Sequence, residues 1–224
     1  MFRPARDHRL DLSLFLRSLK FIAPAIKVTL LLTVFALTFG LVFGLALAVA
    51  RVYGNRFAAT AAGAYSRVVR SLPTLVVLYI FYNLAWVAFR VGGVAAAVIA
   101  LTACTTAYQS EIFRGAIQSL GTGQMAAARS LGMSRATAIR SVIIPQVLRL
   151  AIPSWSNEAA IVLKDSSLAS AVGTAEVFRR SQQIGAANRD YLTAFLAAGL
   201  IYFCLTFITN RVLDFAHKRY KLKT

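Results

Sequence analysis

The sequence predicts an all-α membrane protein with about five transmembrane helices, on three observations. First, 58% of the 224 residues are hydrophobic and the mean hydropathy is +0.64, which is too apolar for an ordinary soluble domain. Second, several apolar segments have the length of roughly 20 residues that a helix needs to cross the hydrocarbon core. Third, arginines and lysines are concentrated between these segments, as in the loops of multi-pass membrane proteins.

The first half of the chain contains the clearest membrane spans. We predict a first span over residues 26–50, a second over residues 72–89 and a third over residues 91–112. The pair Gly92–Gly93 marks the turn between the second and the third. Residues 58–71 contain arginines and are therefore expected to form a helix that approaches the second span.

The second half is less uniform. Residues 113–144 are polar enough to lie outside the bilayer. A fourth span is predicted over residues 150–172, although three ionisable groups fall inside it: Glu158, Lys164 and Asp165. The fifth span covers residues 191–213.

One membrane domain is expected to occupy most of the chain. Residues 1–24 form a basic arm whose apolar positions have helical spacing, which predicts an amphipathic helix at the membrane surface. Residues 25–217 form the transmembrane domain, which includes a polar loop over about residues 120–145. Residues 218–224 form a basic tail.

The distribution of basic residues predicts the orientation, because cytoplasmic loops carry an excess of lysine and arginine. Three basic clusters follow the first, third and fifth spans, and alternation places all three on the cytoplasmic face. The C-terminus is therefore expected in the cytoplasm and the N-terminus outside. The basic N-terminal arm disagrees with this rule unless it lies on the surface.

Several function classes are excluded by composition and motif content. The formal charge of +17 would suggest nucleic acid in a soluble protein, but here the basic residues lie beside apolar spans, where anionic lipid is the expected partner. No His/Cys spacing indicates a metal site. No catalytic constellation is recognisable, and the chain lacks the phosphate-binding loop Gly-x-x-x-x-Gly-Lys-Ser/Thr. We predict no enzyme activity and no nucleic-acid binding.

The polar loop carries the most informative pattern. Alanine-rich helix formers, a glycine and an apolar run that ends in proline predict a short helix, a break and a second helix. The positions that carry the pattern are Gly123, Gln124, Ala126, Ala127, Ala128, Leu131, Gly132 and Pro145. Their spacing resembles the coupling segment, or EAA loop, of permease subunits in bacterial ATP-binding-cassette (ABC) importers. Ala126 occupies the position of that family's glutamate.

Three further segments resemble the polar amino-acid branch of this family, the histidine, glutamine and arginine type. They are Tyr108–Gly115, which contains Tyr-x-x-Glu-Ile-x-Arg-Gly, Lys164–Leu168, which reads Lys-Asp-Ser-Ser-Leu, and Arg70–Leu75, which reads Arg-Ser-Leu-Pro-Thr-Leu. The resemblance covers about residues 25–220. It implies the type I importer fold with a cytoplasmic coupling helix, and a transmembrane subunit that imports polar amino acids across a bacterial cytoplasmic (inner) membrane.

The resemblance also implies partners. Two ABC ATPase subunits would bind ATP and magnesium, so this chain needs no cofactor of its own. A second permease copy or a paralogous permease would complete the pathway, and the alanine at position 126 favours the paralogue. An extracytoplasmic amino-acid-binding protein would deliver the substrate.

Charges inside the fourth span leave two interpretations open. An ionisable group in a membrane is costly, so it usually faces a partner or a wet cavity. An amino-acid zwitterion needs a cation and an anion, which Lys164 with Asp165 or Glu158 would supply; the candidate pathway residues are Tyr108, Asn157, Glu158, Lys164, Asp165 and Ser166. The other interpretation is a structural ion pair of Lys164 with one of these carboxylates.

Glu111 and Arg114 are three residues apart, which predicts an intrahelical ion pair. This pair is a candidate gate as well as a candidate helix-end salt bridge. An alternative function for the whole chain is a secondary transporter or channel that uses Glu158 and Asp165 for ion coupling. The absence of a recognisable inverted repeat in the sequence argues against it.

Overall fold

A computed structural model describes residues 11–220, with side chains up to residue 215. This part of the chain is helical and contains no β-strand. Its α-helices are α1 (Leu12–Ile22), α2 (Ile26–Tyr53), α3 (Arg56–Ser71), α4 (Thr74–Phe89), α5 (Gly93–Ser119), α6 (Gly123–Ser130), α7 (Arg135–Ala138), α8 (Ile144–Asp165), α9 (Val177–Asn188) and α10 (Tyr191–Tyr220).

The helices confirm the predicted number of spans. Four helical stretches of the described residues are long and apolar enough to cross a membrane: Leu12–Tyr53, Gly93–Ser119, Arg135–Val172 and Tyr191–Phe215. The pair α3 and α4 supplies a fifth and is bent by 120°. The bend lies at Pro73, because the residue before a proline is disfavoured in the α conformation, and Leu72 is extended with a ψ of 150°.

The first span is longer than predicted. A 3₁₀ turn at Ala23–Ala25 joins α1 to α2, and the Asp11 carboxylate caps α1 by accepting a hydrogen bond from the Ser13 amide at 2.9 Å. Leu14 and Ile22 are buried where α1 packs against α9 and α10. The arm therefore contacts protein on one face, and its interfacial position stays a prediction. Residues 1–10 of the arm lie outside the described residues.

The region predicted as a polar loop is also more helical than expected. The helix α5 extends to Ser119, and a continuous helical stretch begins again at Arg135. This stretch contains a π-helical turn at Ile139–Ile143 immediately before α8. Pro145 follows that turn. Because proline donates no backbone hydrogen bond and crowds the preceding turn, a locally wider turn accommodates it.

The centre of the bundle is α5, which packs against α2, α3, α4 and α8. Two glycines of α2 permit the closest approach. A Cβ atom at Gly40 would lie 2.7 Å from Nε2 of Gln109, and one at Gly44 would lie 3.1 Å from the Ser110 backbone nitrogen. Small residues at such positions let two helix backbones approach within a membrane.

Candidate coupling helix and translocation cavity

The predicted coupling segment forms the separate short helix α6, which ends in a Schellman motif. Gly132 has a φ of +80°, a conformation that residues with a Cβ atom resist. The Met133 amide donates to the Ala128 carbonyl at 3.2 Å, and the Gly132 amide donates to the Arg129 carbonyl at 3.0 Å. These two bonds satisfy carbonyls that a helix end would otherwise leave open.

One face of α6 is exposed. Ala128 is buried at 3% exposure and faces the chain itself, whereas Leu131 is 79% exposed. Gly123, Gln124, Ala126, Ala127 and Gly132 are also exposed. The sequence pattern therefore corresponds to a small-residue helical surface that carries a single large apolar side chain at its end.

Two contacts connect this segment to the membrane helices. Nε2 of Gln146, at the start of α8, lies 3.3 Å from Oε1 of Gln124. The guanidinium of Arg135 lies 5.7 Å from the centre of the Tyr53 ring at the end of α2, which is within the range of a cation–π interaction. The helix α6 therefore contacts α8 directly, whereas the contact with α2 is made by Arg135 of α7.

A cluster of arginines surrounds Glu111 on α5. Nη1 of Arg51 lies 2.6 Å from its Oε2, and Arg114 contacts Oε1, as the spacing of three residues predicted. Nη1 of Arg70 lies further away, at 3.5 Å. Three guanidinium groups facing one carboxylate leave a local excess of positive charge.

Beside this cluster lies a cavity of about 590 Å³. It is lined by Arg70, Tyr108, Glu111, Ile112, Pro153, Ser154, Asn157 and Glu158. A second cavity of about 200 Å³ shares Tyr108 and Glu158 with the first and extends to Asp165. Both cavities have charged and apolar walls, as ligand sites commonly do.

Glu158 is the most deeply placed charged group of the two cavities, with 7% exposure. The Thr105 hydroxyl donates a hydrogen bond to its Oε1 at 3.1 Å. Nε2 of Gln109 in turn donates a hydrogen bond to the Thr105 hydroxyl at 3.3 Å. Nε1 of Trp155 donates to Oε1 of Gln109 at 2.9 Å. This network fixes the position of the carboxylate from the α5 side.

The structure brings together four of the six predicted pathway residues: Tyr108, Asn157, Glu158 and Asp165. Lys164 and Ser166 line neither cavity. Lys164 is exposed, because it lies on another face of α8 than Glu158. Ser166 is buried and donates to the Leu163 carbonyl at 2.7 Å.

The structural ion pair that the sequence left open is not formed. Within the described residues, Lys164 makes no salt bridge with Glu158 or Asp165. Sequence reasoning also missed Arg70 as a cavity residue, because its distance from Glu158 along the chain hides their proximity. The described residues contain no group of His, Cys, Asp or Glu side chains arranged to hold a metal ion.

Comparisons with known proteins agree with this architecture. Residues 19–222 match the family model described as binding-protein-dependent transport system inner membrane component. The nopaline transport system permease protein NocM of Agrobacterium fabrum is 34% identical over 219 residues, covering 92% of this chain and 90% of the relative. The histidine/lysine/arginine/ornithine transport system permease protein HisM of Escherichia coli is 31% identical and covers 87% of each chain.

Solved structures give the same result for the fold. A chain in the crystal structure of an amino acid ABC transporter with histidines superposes with a TM-score of 0.81 at 32% identity, covering 94% of this chain and 99% of that one. A chain of the MetNI methionine ABC transporter, at 19% identity, shares the fold with a TM-score of 0.75. The chain therefore belongs to the family of inner-membrane components of binding-protein-dependent transport systems and is a multi-pass permease subunit of the ABC importer type.

Proposed function

We propose that this chain forms part of the translocation pathway for polar amino acids and couples it, through α6, to separate ATPase subunits. The observation that carries the proposal is the exposed alanine helix α6, which ends at Gly132 and contacts α8 through Gln124, and which is followed by α7, whose Arg135 contacts Tyr53 of α2. The names of the relatives support the substrate class, since they refer to nopaline and to histidine, lysine, arginine and ornithine.

The proposal includes the partners that such a subunit requires. Two ATPases bind ATP and magnesium, a second copy or a paralogous permease completes the pathway, and an extracytoplasmic binding protein delivers the amino acid. In this arrangement the C-terminus and α6 lie in the cytoplasm and the N-terminus lies outside, in agreement with the basic clusters. The secondary-transporter alternative is not favoured, because the relatives are permease subunits of ABC systems.

The geometry suggests how the coupling works. When the ATPases close on ATP, they displace α6, and the contact between Gln124 and Gln146 transmits this displacement to α8. The same helix carries Asn157 and Glu158, so the cavity wall moves with the coupling helix. Access then alternates between the two sides by rigid displacement of packed helices.

Within the cavity, Glu158 is proposed to contact the cationic group of the substrate. Among the described residues Glu158 forms no salt bridge, and a buried carboxylate of this kind is stabilised when a cation enters. Tyr108 and Asn157 shape the same space, and Asp165 extends it. Glu111 borders the cavity, and its ion pair with Arg114 is proposed to act as a gate.

The coupling role is tested with Gly132→Ala. The methyl group meets no atom of the described residues within 4 Å, so its main effect is strain at the positive φ, about 1–2 kcal/mol. The matched control is Gly115→Ala, a helical position that is equally open. We expect the Gly132 variant to lower ATPase activity stimulated by substrate and to weaken ATPase co-purification, with the control unchanged.

Two results would contradict this proposal. If both variants support wild-type ATPase stimulation and co-purify equal amounts of ATPase, α6 is not the coupling contact. If the wild-type chain purified in mild detergent retains no ATPase and transports amino acids after ATP depletion, the assignment of function is overturned.

A further inference from the structure

We propose that Arg70 binds the carboxylate group of the transported amino acid in the cavity that it shares with Glu158. This inference rests on the proposed function and assigns a role that the sequence pattern had given to Lys164. Five observations carry it: the charge balance around Glu111, the placement of Arg70, the anchoring of α3 on α5, the burial of Glu158 and the volume of the cavity.

The Glu111 carboxylate is already neutralised without Arg70. Arg51 contacts one of its oxygens at 2.6 Å, and Arg114 contacts the other. Arg70 approaches only to 3.5 Å, a distance at which a hydrogen bond is weak at best. Arg70 therefore makes no close hydrogen bond to Glu111, and its guanidinium donors are available to another anion.

The Arg70 side chain lies at the cavity, where its guanidinium donors can reach a ligand. Its side chain is 39% exposed, compared with 13% for Arg51 and 28% for Arg114, and it lines the cavity. Its guanidinium lies 5.6 Å from the centre of the Tyr108 ring, and a guanidinium stacked on an aromatic face is well oriented for bidentate binding of a carboxylate.

The helix that carries Arg70 is held firmly against α5. The Tyr65 hydroxyl donates to the Ala103 carbonyl at 2.7 Å, and the Ser66 hydroxyl donates to the Ala107 carbonyl at 3.1 Å. The preceding turns of α3 are thus fixed on the bundle, and the Arg70 side chain extends from a rigid support. Rigid supports of this kind are what binding sites require.

Glu158 provides the opposite charge within the same cavity. It is 7% exposed, and among the described residues the Thr105 hydroxyl is its one hydrogen-bond donor. A cavity that presents a guanidinium and a buried carboxylate matches the two charges of a zwitterion. The volume of about 590 Å³ lies in the range of small-molecule sites.

The experiment compares an amino acid with its decarboxylated amine. The complete transporter, reconstituted in lipid nanodiscs without the binding protein, is titrated with L-arginine and agmatine, and with L-histidine and histamine. The wild type is expected to bind each amino acid more tightly than its amine. Because a hydrogen bond to a charged group contributes about 1.5–3 kcal/mol, Arg70→Gln should weaken amino-acid binding by at least about tenfold.

Binding of the carboxylate by Arg70 is distinguished from a structural role by the affinities of the amino acids and of their amines. Arg70→Gln should leave the affinity for agmatine and histamine unchanged, and Arg70→Lys should restore part of the amino-acid affinity. The matched control is Arg67→Gln on the same helix, an exposed arginine that lines neither cavity; it should behave as wild type.

Several results would overturn the inference. Equal wild-type affinity for amino acid and amine would do so even if Arg70→Gln failed to assemble. Equal losses for both ligands in Arg70→Gln would indicate a structural role. By contrast, a wild-type complex that binds neither amino acid nor amine, and whose ATPase responds to none of them, contradicts the proposed substrate class itself.

Discussion

Nη1 of Arg51 donates a hydrogen bond to Oε2 of Glu111 at 2.6 Å, and this contact joins the end of α2 to α5. The two residues are 60 positions apart. Both side chains are largely buried, with 13% and 25% exposure. The contact orients the Glu111 carboxylate, which also accepts a hydrogen bond from Arg114. Arg70 lies further from this carboxylate and lines the cavity.

Replacement of this carboxylate should destabilise the bundle. Glu111→Gln leaves Arg51, Arg70 and Arg114 close together without their anion, and removing one partner of a partly buried charge cluster costs about 2–4 kcal/mol. We expect a lower thermal unfolding temperature of the purified chain in detergent. Arg67→Gln serves as the control, and a Glu111→Gln midpoint as high as that of this control would contradict the prediction.

The close packing of α2 on α5 predicts a strong effect of one methyl group. In Gly44→Ala the new Cβ would lie 2.9 Å from Cβ of Gln109 and 3.1 Å from the Ser110 nitrogen. Backbone atoms cannot yield, so the helices must separate, at a cost of about 1–3 kcal/mol. Gly199→Ala in α10, where the part of the chain that the structure describes has no atom within 4 Å of the new Cβ, is the control. The comparison is made by thermal unfolding in detergent, and equal midpoints for the two variants would show that the helices separate at no cost.

Two adjacent threonines of α5 differ in the role of their hydroxyl groups, which allows a matched comparison of two threonine-to-valine variants. Thr105→Val removes the hydroxyl that donates to Glu158, so we expect a stability loss of about 1–3 kcal/mol and weaker amino-acid binding. The Thr106 hydroxyl is buried and has no hydrogen-bond partner among the described residues, so Thr106→Val should be neutral or stabilising. Both are measured by thermal unfolding and by titration with L-arginine; a similar result for the two variants would disprove the role of the Thr105 bond.

Glu176 predicts a pH dependence of stability. It caps α9 by accepting from the Arg179 amide at 2.6 Å and accepts from the Tyr202 hydroxyl at 2.7 Å. Burial raises the pKa of Glu176 above its ordinary value of 4.5, although these bonds act in the opposite direction. The folded chain therefore retains a proton that the unfolded chain has already released in the pH window just above 4.5.

The sign follows from this difference in proton binding. The stability contribution of protonated Glu176 is complete below pH 4.5 and is lost as the pH rises towards the raised pKa. Unfolding midpoints measured across this window should fall with pH in the wild type and should change less in Glu176→Gln. The comparison uses slopes, because the glutamine also alters the cap. Parallel slopes would show that Glu176 keeps its ordinary pKa.

The fold could be predicted in large part because its determinants are local. A span requires a run of apolar residues, and the end of α6 requires a glycine where φ is +80°. The sharp bend at Pro73 was not predicted, although it too has a local cause. The helix limits were less accurate. Residues 113–119 and 135–144 are helical although polar, since polarity indicates the distance from the membrane core and does not end a helix.

The candidate site was predicted only in part. The seven-residue spacing of Glu158 and Asp165 correctly indicated that they share a side of the helix, and both border adjoining cavities. Lys164 was included because a zwitterion needs a cation, and the structure places it outside both cavities. A one-residue difference rotates a side chain by about 100° around a helix, so only the packing of α8 against α5 decides which face meets the cavity.

The sequence by itself determined the membrane class, the number of spans, the short helix with its glycine end and the family resemblance. All of these follow from composition and from residues close together along the chain. The tertiary structure decided which charges meet: Arg51 with Glu111, Thr105 with Glu158, and Arg70 with the cavity wall. These contacts join different helices, and their geometry depends on the close approach of α2, α3 and α8 to α5, which no local pattern encodes.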